Sequence, residues 1–197
     1  MNKGALAKEE IISVAADVIR SKGYQSTSIN DILVSSGIGK GKFFHHFKTK
    51  HDLGIAVIDR YIDTWKSRMI EEILQGKLPA KTRIHHMLEE TLGSFQDSNV
   101  KKGCPFGNLA IEMSEHDASF RERIAFFFHE WAMALSETLK DANLISDQRA
   151  YDYAEHIISS IEGAILMAKV KQTSKPIENT VWILKNTLLH QRSHSHE

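Results

Sequence analysis

The sequence has little of three things that mark particular protein classes: it has one cysteine, three prolines and no long apolar run. A single cysteine excludes an internal disulfide and a zinc site made of four cysteines. Because no apolar run approaches the ~20 residues needed to cross a bilayer, the sequence predicts no membrane span. The segment Met1–Gly4 leads into an amphipathic pattern rather than the apolar core of a signal peptide, so we expect a cytoplasmic protein with no membrane partner.

Net charge is also lacking, because 25 lysines and arginines balance 25 acidic residues. The charges are nevertheless unevenly spread, since residues 1–50 carry eight basic and four acidic side chains. Between residues 36 and 50 there is no acid, and four lysines occur: Lys40, Lys42, Lys48 and Lys50. A short basic segment in an otherwise acidic chain indicates either a contact with a polyanion or a solvated loop. The content of 42% hydrophobic and 25% charged residues excludes intrinsic disorder.

Apolar residues recur at steps of three and four along most of the chain, which predicts an all-α fold. The first predicted helix ends at Gly23, and the second begins at an N-cap, Thr27 or Ser28. A short third helix is expected at about 39–46, and a capping pattern at 49–52 opens a long helix toward Gln75. Later helices are predicted at about 80–97, 106–115, 118–142, 147–171 and 176–190, with a loop from Asp97 to Gly103.

The second and third predicted helices form a helix-turn-helix, because a short turn containing Gly37 separates them. A residue in such a turn often has a positive φ, which glycine adopts without strain. The third helix presents two lysines and two histidines, while Phe43 and Phe47 can face inward. Glycines, lysines and no acids on a short exposed helix are suited to reading the major groove of DNA.

Several short motifs occur in register in the first quarter of the chain. They are Gly23-Tyr24, Thr27-Ser28-Ile29, Asp31-Ile32, Ser36-Gly37-Ile38 and the run from Gly39 through Phe43-Phe44-His45-His46-Phe47 to Lys50. Together they resemble the DNA-binding domain of TetR-family transcriptional repressors, over residues 8 to about 55. Further along, the segment 103–108 (Gly-Cys-Pro-Phe-Gly-Asn) resembles one branch of that family.

The resemblance implies an all-α architecture of about nine helices, with a three-helix helix-turn-helix DNA-binding domain at residues 1–50 and a larger ligand-binding and dimerisation domain at residues 51–197. It also implies a homodimeric repressor, not an enzyme, whose partner is a double-stranded DNA operator. An unknown small-molecule effector, bound in the larger domain, is expected to release that operator. The residues at matching DNA-contact positions are Thr27, Ser28, Asn30, Lys40, Gly41, Lys42, Phe44, His45, His46 and Lys50.

Roles can be carried over for some of these residues. Thr27 and Ser28 are expected to cap the second helix against a phosphate, and Lys50 is expected to bind a phosphate near the start of the fourth helix. Many family members have Ser or Thr where Gly39 and Lys42 stand, and Tyr where Phe44 stands. The missing phenol hydroxyl removes one hydrogen bond to DNA and Lys42 adds a charge, so we expect a salt-sensitive complex.

Methionine and aromatic residues are frequent between residues 80 and 170, where they either fill the core or line an apolar pocket between helices. The candidate ligand-binding residues are Met87, Cys104, Phe106, Met113, Phe127 and Trp131. Cys104 precedes a predicted helix start and follows two lysines, a setting that lowers the pKa of a thiol. It is therefore either the trigger of an electrophile- or redox-responsive regulator or a small buried residue in a tight turn.

Two apolar stripes near the end of the chain either form the dimer interface or complete the core of one subunit, and the resemblance favours the dimer. They comprise Tyr153, Ile157, Ile161, Ala164, Ile165 and Ala168, followed by Val181, Leu184 and Leu188. No phosphate loop, nucleophile elbow or full set of metal ligands is present, so we predict no catalytic residue, no cofactor and no metal. The alternatives left open are a non-DNA-binding helical interaction module or an enzyme, and weak metal binding by His194 and His196 in the polar tail.

Overall fold

The computed structural model describes residues 3–96 and 98–189, and every regular element among them is helical. The α-helices are α1 (Lys3–Lys22), α2 (Ile29–Ser36), α3 (Lys40–His46), α4 (Lys50–Trp65), α5 (Ala80–Ser94), α6 (Ser98–Lys102), α7 (Pro105–Met113), α8 (Ala118–Asp141), α9 (Ala150–Lys171) and α10 (Lys175–Leu184). Helix α4 continues into a π-helical segment, Lys66–Leu74, and α10 into another, Lys185–Leu189. The all-α fold predicted from the apolar spacing is confirmed.

Ser28, rather than Thr27, is the N-cap of α2. Its hydroxyl accepts a hydrogen bond of 3.1 Å from the Asp31 amide, and the Asp31 carboxylate accepts one of 2.8 Å from the Ser28 amide. This reciprocal pair satisfies two of the amides that a helix start leaves without partners. At the other end of α2, Gly37 has a φ of 65°, the left-handed conformation that the turn requires.

The start of α4 is capped in the same way. The Thr49 hydroxyl accepts a hydrogen bond of 3.0 Å from the Asp52 amide, and the Asp52 carboxylate accepts one of 3.0 Å from the Thr49 amide. The short helix α3 and the long helix α4 are therefore separated by a defined boundary.

The segment Asp97–Gly103, which we expected to be a loop, contains the helix α6. Its polar composition concealed one buried residue, Val100, and α6 packs against α9. Gly103 ends the helix with a φ of 69° and donates its amide hydrogen to the Asn99 carbonyl at 3.2 Å. A single apolar contact and a glycine stop are enough to hold five residues in a helix when tertiary packing supplies the partner.

The chain divides into two compact units. The first unit contains the residues up to Thr64 together with Pro105–Phe126, and the predicted DNA-binding domain, residues 1–50, lies wholly within it. Its core is built from fully buried side chains of five helices: Ile11, Ile32, Phe43, Leu53 and Phe120. Burial of these side chains is the main source of stability for helices as short as α2 and α3.

The second unit contains Trp65–Cys104 and the residues from Phe127 onward. Within it α9 packs along α10, and most residues of the two apolar stripes that we assigned to a dimer interface are buried within the single chain. Ile157, Ile161 and Ile165 of α9, and Val181 and Leu184 of α10, belong to the core of one chain. Over the described residues, no helix combines the length and apolar character that crossing a membrane requires.

Candidate nucleic-acid interface

Helix α3 turns a basic face to solvent because two aromatic anchors fix its other face. Phe43 is only 1% exposed and Phe47 is also buried, with their ring centroids 6.0 Å apart. Lys42, directly before Phe43, and His45, between the two rings in sequence, are exposed, as are Lys40 and Gly41 at the start of the helix. Apart from its chain neighbours and the backbone of its own helix, Gly41 has no atom within 4 Å of where a Cβ would lie, so the backbone there is open to a close approach.

Phe44 is an exposed aromatic residue on the same helix. Its ring is 40% exposed, packs edge-on against Phe43 at 5.3 Å and lies 6.0 Å from the Lys40 ammonium. The ring carries no hydrogen-bond donor, so it offers DNA only an apolar surface, such as a thymine methyl group would contact.

His45 and His46 lie at the end of α3 with their rings 5.0 Å apart. Partial burial lowers the pKa of His46, and the positive charges of His45, Lys42 and Lys8 lower it further. A phosphate placed beside this imidazole would favour its charged form and oppose that shift. The charges that act on this imidazole, those of His45, Lys42 and Lys8, are all positive, so the cluster is suited to receive an anion.

Thr27 does not occupy the position that we predicted for it. The side chain is 1% exposed and its hydroxyl donates a hydrogen bond of 2.7 Å to the Gly23 carbonyl. Ser28 and Asn30, in contrast, are exposed at the start of α2. Thr27 therefore stabilises the turn before α2 and is not available to a phosphate, whereas Ser28 and Asn30 are accessible at this helix start.

Lys50 is partly occupied within the protein. Its ammonium donates a hydrogen bond of 3.1 Å to the Gln25 carbonyl and lies 4.5 Å from the centre of the Tyr24 ring. Burial lowers the pKa of Lys50, while the negative charge of Glu112 opposes that effect. The side chain holds the turn before α2 in addition to the phosphate contact that the sequence predicts.

The six candidate ligand-binding residues are all buried, but they fall into different units. Phe106 and Met113 lie in the first unit, where the Phe106 ring is 6.3 Å from Tyr61. Met87, Cys104, Phe127 and Trp131 lie in the second unit.

Within the second unit, Phe127 and Trp131 belong to an aromatic cluster with Trp65, Phe95 and Phe128. The ring centroids of Trp65 and Trp131 are 6.0 Å apart, and those of Phe127 and Trp131 are 6.1 Å apart. The indole N–H of Trp131 is buried and has no hydrogen-bond partner. A buried donor without a partner costs stability, so this group is a candidate contact for a ligand acceptor.

A surface cleft of about 390 Å³ lies elsewhere in the second unit, between the π-helical segment 66–74 and α5. Arg68 lines it and donates hydrogen bonds to Glu72 at 2.7 Å and Glu90 at 2.8 Å. None of the six candidate ligand-binding residues lines this cleft.

Two family models match the chain. Residues 11–57 match the model for bacterial regulatory proteins of the tetR family, and residues 79–181 match the model for the C-terminal domain of LmrA/YxaF-like transcriptional regulators. The chain belongs to the TetR family. It is thus a DNA-binding helix-turn-helix transcriptional regulator, from a family of regulators rather than enzymes, which sets aside the interaction module and the enzyme.

Individual TetR-family proteins are similar over nearly the whole chain. A helix-turn-helix transcriptional regulator in the lacX 3′ region of Lactococcus lactis is 31% identical over 180 residues, which cover 91% of this chain and 92% of the relative. A TetR regulator from Chloroflexus aurantiacus has a solved structure with a TM-score of 0.83, 25% identity and coverage of 97% and 98%. The reduced form of Escherichia coli NemR has a TM-score of 0.80 at 21% identity, covering 92% of this chain and 97% of that one.

Sequence reasoning missed one acidic residue of the TetR-family C-terminal part, Glu162. It is half-buried on α9, and its carboxylate accepts a hydrogen bond from the Cys104 thiol. Burial raises the pKa of Glu162 to about 7, and the hydrogen bond from Cys104 opposes that rise. The available signal was a lone acid between Ile161 and Ala164 in an apolar stripe.

Sequence reasoning also missed Gln25 and Glu112, which join the DNA-binding domain to α7. Two hydrogen bonds of 2.9 Å link them, although they lie 87 positions apart. No spacing rule relates residues at that separation, so the sequence held no signal for the pair.

Across the described part of the chain, no three His, Cys, Asp or Glu side chains form a group that could hold a metal ion. His194 and His196 lie outside the described residues.

Proposed function

We propose that this TetR-family regulator is a homodimeric repressor that binds an operator and leaves it when a small molecule binds in the C-terminal part of the chain. The observation that carries the proposal is the exposed face of α3, on which Lys40, Lys42 and His45 occur without an acid. A helix anchored by Phe43 and Phe47 and basic on its outer side matches the recognition helix of a helix-turn-helix protein. As a regulator of transcription it would act in the cytoplasm, where the bacterial chromosome lies.

The proposed DNA-contacting surface has two parts. On α3 it comprises Lys40, Gly41, Lys42, Phe44, His45 and His46, and at the start of α2 it comprises Ser28 and Asn30. We assign base or phosphate contacts to Lys40 and Lys42, base reading to Asn30, and phosphate contacts to Ser28 and to His45 or His46, because helix starts bind anions and lysines on a groove-entering helix reach base edges. Lys50 joins the proposed phosphate contacts through the ammonium N–H groups that do not bind the Gln25 carbonyl.

The proposed dimer interface is the outer face of α9 and α10. Val170 is 71% exposed and Trp182 is 66% exposed, and Leu166, Met167 and Ile183 are also exposed. Residues 163, 166, 167 and 170 recur at helical spacing on one side of α9, and Gly163 has open space where a Cβ would lie. Exposed apolar residues grouped in this way favour a second copy that covers them about a twofold axis.

The dimer is tested by charging that face. We expect Val170→Glu combined with Trp182→Glu to convert the protein to a monomer in sedimentation velocity and to abolish binding to a two-half-site duplex. Ile111→Glu is the matched control, since Ile111 is 78% exposed on α7, away from α9 and α10 in sequence. A dimer that persists in the double variant would place the interface elsewhere.

The proposed effector site is the aromatic cluster around Trp131. Its rings favour a planar apolar molecule, and the unpartnered indole N–H favours one with a hydrogen-bond acceptor. Binding would shift the population of subunit arrangements toward one in which the two recognition helices no longer match successive major grooves.

The function is tested with the DNA that surrounds the protein's own gene. We expect the purified protein to retard a fragment of that DNA in a gel-shift assay, and to protect an inverted repeat within it from nuclease. Native mass spectrometry of the same preparation should detect a copurifying small molecule, whose addition releases the fragment. Failure to bind any fragment at low salt would contradict the operator, whereas binding without release would contradict the effector alone.

A second candidate function uses Cys104 as the trigger. The thiol is hydrogen-bonded to the Glu162 carboxylate, which is placed to take the thiol proton when the sulfur attacks a soft electrophile such as an α,β-unsaturated carbonyl. The new bond joins sulfur to the β-carbon, and the α-carbon then takes up a proton. One structural neighbour, Escherichia coli NemR, was solved in a form described as reduced, which supports testing this chain for a redox response. Release of Cys104→Ser from DNA by the same electrophile would exclude this trigger.

A further inference from the structure

The turn between α1 and α2 is held by a residue of α7's C-terminal end region. The backbone amide of Gln25 donates a hydrogen bond of 2.9 Å to the Glu112 carboxylate. The side-chain amide of Gln25 donates a second one, also 2.9 Å, to the Glu112 backbone carbonyl. Each residue uses both its backbone and its side chain in this pair. The two hydrogen bonds therefore fix the position and the orientation of Gln25 relative to Glu112, which one hydrogen bond would not do.

Gly23 lets the Glu112 carboxylate come this close. Its φ of 89° is a conformation that residues with a side chain rarely adopt, and a Cβ there would lie 2.8 Å from the Glu112 Oε1. The local backbone is thus shaped around the carboxylate. On the other side of the turn, the Lys50 ammonium binds the Gln25 carbonyl at 3.1 Å, so Gln25 is held from both directions.

The turn passes the position of Gln25 directly to the start of α2. The Thr27 hydroxyl and amide are hydrogen-bonded to the carbonyls of Gly23, at 2.7 Å, and of Tyr24, at 3.2 Å. The next residue, Ser28, is the N-cap of α2. Because buried Thr27 leaves the turn little freedom, a displacement of Gln25 displaces the α2 start as well.

A second group of contacts ties the start of α8 to the same region. The His51 imidazole lies 2.9 Å from the Asp117 carboxylate, and the Phe120 ring lies 5.0 Å from that of Tyr24. A Cβ added to Gly54 would lie 2.5 Å from Tyr24 and 2.9 Å from Phe120. Residues 112–120 therefore pack closely against the turn before α2.

We propose that Glu112 is a positioning residue for DNA binding, which holds the start of α2 in the orientation that lets Ser28 and Asn30 meet the DNA. It does so without touching DNA itself. The proposal rests on the DNA-binding activity of the family and does not depend on the effector or on the dimer. Its consequence is that DNA affinity depends on where α7 lies.

Charge and position predict opposite effects at this residue. If Glu112 acted only through its charge, removing that charge would strengthen binding to a polyanion, and Glu112→Ala and Glu112→Gln would both bind more tightly. If it acts by position, Glu112→Ala binds more weakly, while Glu112→Gln keeps an oxygen that accepts from the Gln25 amide. Glu112→Asp keeps the charge but shortens the reach by one methylene group.

The test measures affinity by fluorescence anisotropy for a duplex that the wild-type protein has selected from a random pool. We expect Glu112→Ala and Glu112→Asp to lose about tenfold in affinity, the equivalent of one hydrogen bond, and Glu112→Gln to stay within about twofold. Glu115→Ala is the matched control, since Glu115 is an exposed acid three positions further on, and it should show no loss. Equal or tighter binding by both Glu112→Ala and Glu112→Asp would overturn the proposal.

Amide hydrogen exchange of the free protein supplies the second readout. Exchange of the Gln25 amide should be faster in Glu112→Ala and Glu112→Asp, and unchanged in Glu112→Gln, with the same thermal midpoint in all three. Faster exchange at Gln25 with undiminished DNA affinity would also overturn the proposal, since the contact would then be structural only. If Glu112→Ala does not fold, the Glu112→Asp and Glu112→Gln pair decides the outcome, because both preserve a polar side chain.

Discussion

At the scale of single residues, Phe44 sets the chemistry of the exposed face of α3. Its ring is exposed and has no hydroxyl to donate to a phosphate or base, whereas the resemblance to TetR-family proteins implies a tyrosine at this position in many of them. Its presence leaves Lys40 and Lys42 as the polar groups of the first turn of α3. Affinity at this helix should therefore depend strongly on charge.

Replacing Phe44 by Tyr should tighten DNA binding by up to about tenfold, since a phenol hydroxyl adds a hydrogen bond worth about 1 kcal/mol. Titration of labelled operator with the wild type and the variant measures the change. Phe126→Tyr makes the same chemical change on α8, where the ring is also exposed, and should leave the affinity unaltered. Equal affinities for the wild type and Phe44→Tyr would show that the ring edge faces no acceptor.

Glu162 makes stability depend on pH. Burial raises its pKa to about 7 from an ordinary value of 4.5, so the folded protein keeps a proton that the unfolded chain releases between these values. The free energy of unfolding should fall as pH rises from 4.5 to 7 and then level off. In Glu162→Gln, which cannot ionise, that decline should shrink by roughly 3 kcal/mol at most.

Urea unfolding at a series of pH values measures this contribution. Glu122→Gln, which changes an exposed acid on α8, is the control and should follow the wild-type curve. If Glu162→Gln follows it too, the Glu162 carboxyl has an ordinary pKa in the folded state.

At the scale of helices, α3 concentrates the positive charge that faces solvent. Lys40→Ala combined with Lys42→Ala should weaken operator binding strongly. It should also lower the slope of log affinity against log salt by about two, because a protein that brings two fewer positive charges to the DNA releases about two fewer counter-ions on binding. The thermal midpoint should not change, since both side chains are exposed. Anisotropy titrations between low and physiological salt measure the slope.

Lys77→Ala combined with Lys81→Ala is the control for that experiment, because it removes the same charge at exposed positions of the second unit. It should preserve the slope. Undiminished binding by the α3 variant at physiological salt would refute α3 as the recognition helix.

Helix α4 is packed so closely at Gly54 that it admits no side chain. Gly54→Ala should destabilise the protein by about 1–3 kcal/mol, because the added methyl group meets the rings of Tyr24 and Phe120. Gly93→Ala, at a helical site with open space, should be neutral or slightly stabilising. Chemical denaturation compares the two, and equal stabilities would mean that the aromatic pair moves aside freely.

Most helix boundaries could be predicted because their signals are local. Helix-start amides are satisfied within three residues by two pairs, Ser28 with Asp31 and Thr49 with Asp52. Gly37 supplies a turn that requires the left-handed backbone conformation. Helix α6 could not be predicted, because one buried valine on a polar segment gives no period. The burial of Thr27 was missed for a related reason: two adjacent hydroxyl residues look alike until the turn is formed.

At the scale of the whole molecule, the sequence could not separate the core from the exposed apolar face of α9 and α10. Both a buried and an exposed apolar face recur at helical spacing, so Ile161 and Val170 look equivalent until the packing of the two helices is known. The residues of the proposed DNA-contacting surface were predicted from local pattern and resemblance. The Gln25–Glu112 and Cys104–Glu162 pairs were not, because each joins segments that only tertiary folding brings together.

The hydrogen bonds that hold Gln25 have a practical consequence for building chimeric regulators. Transplanting residues 1–50 of a relative onto this chain, to redirect it to a new operator, would replace Gln25 while leaving Glu112 and Asp117 behind. The graft would fold, but without the Gln25–Glu112 hydrogen bonds it would hold α2 and α3 in a poor orientation for binding DNA. A donor fragment that also includes the counterpart of residues 105–126 supplies both of the contacting segments, and is therefore the better choice for such chimeras.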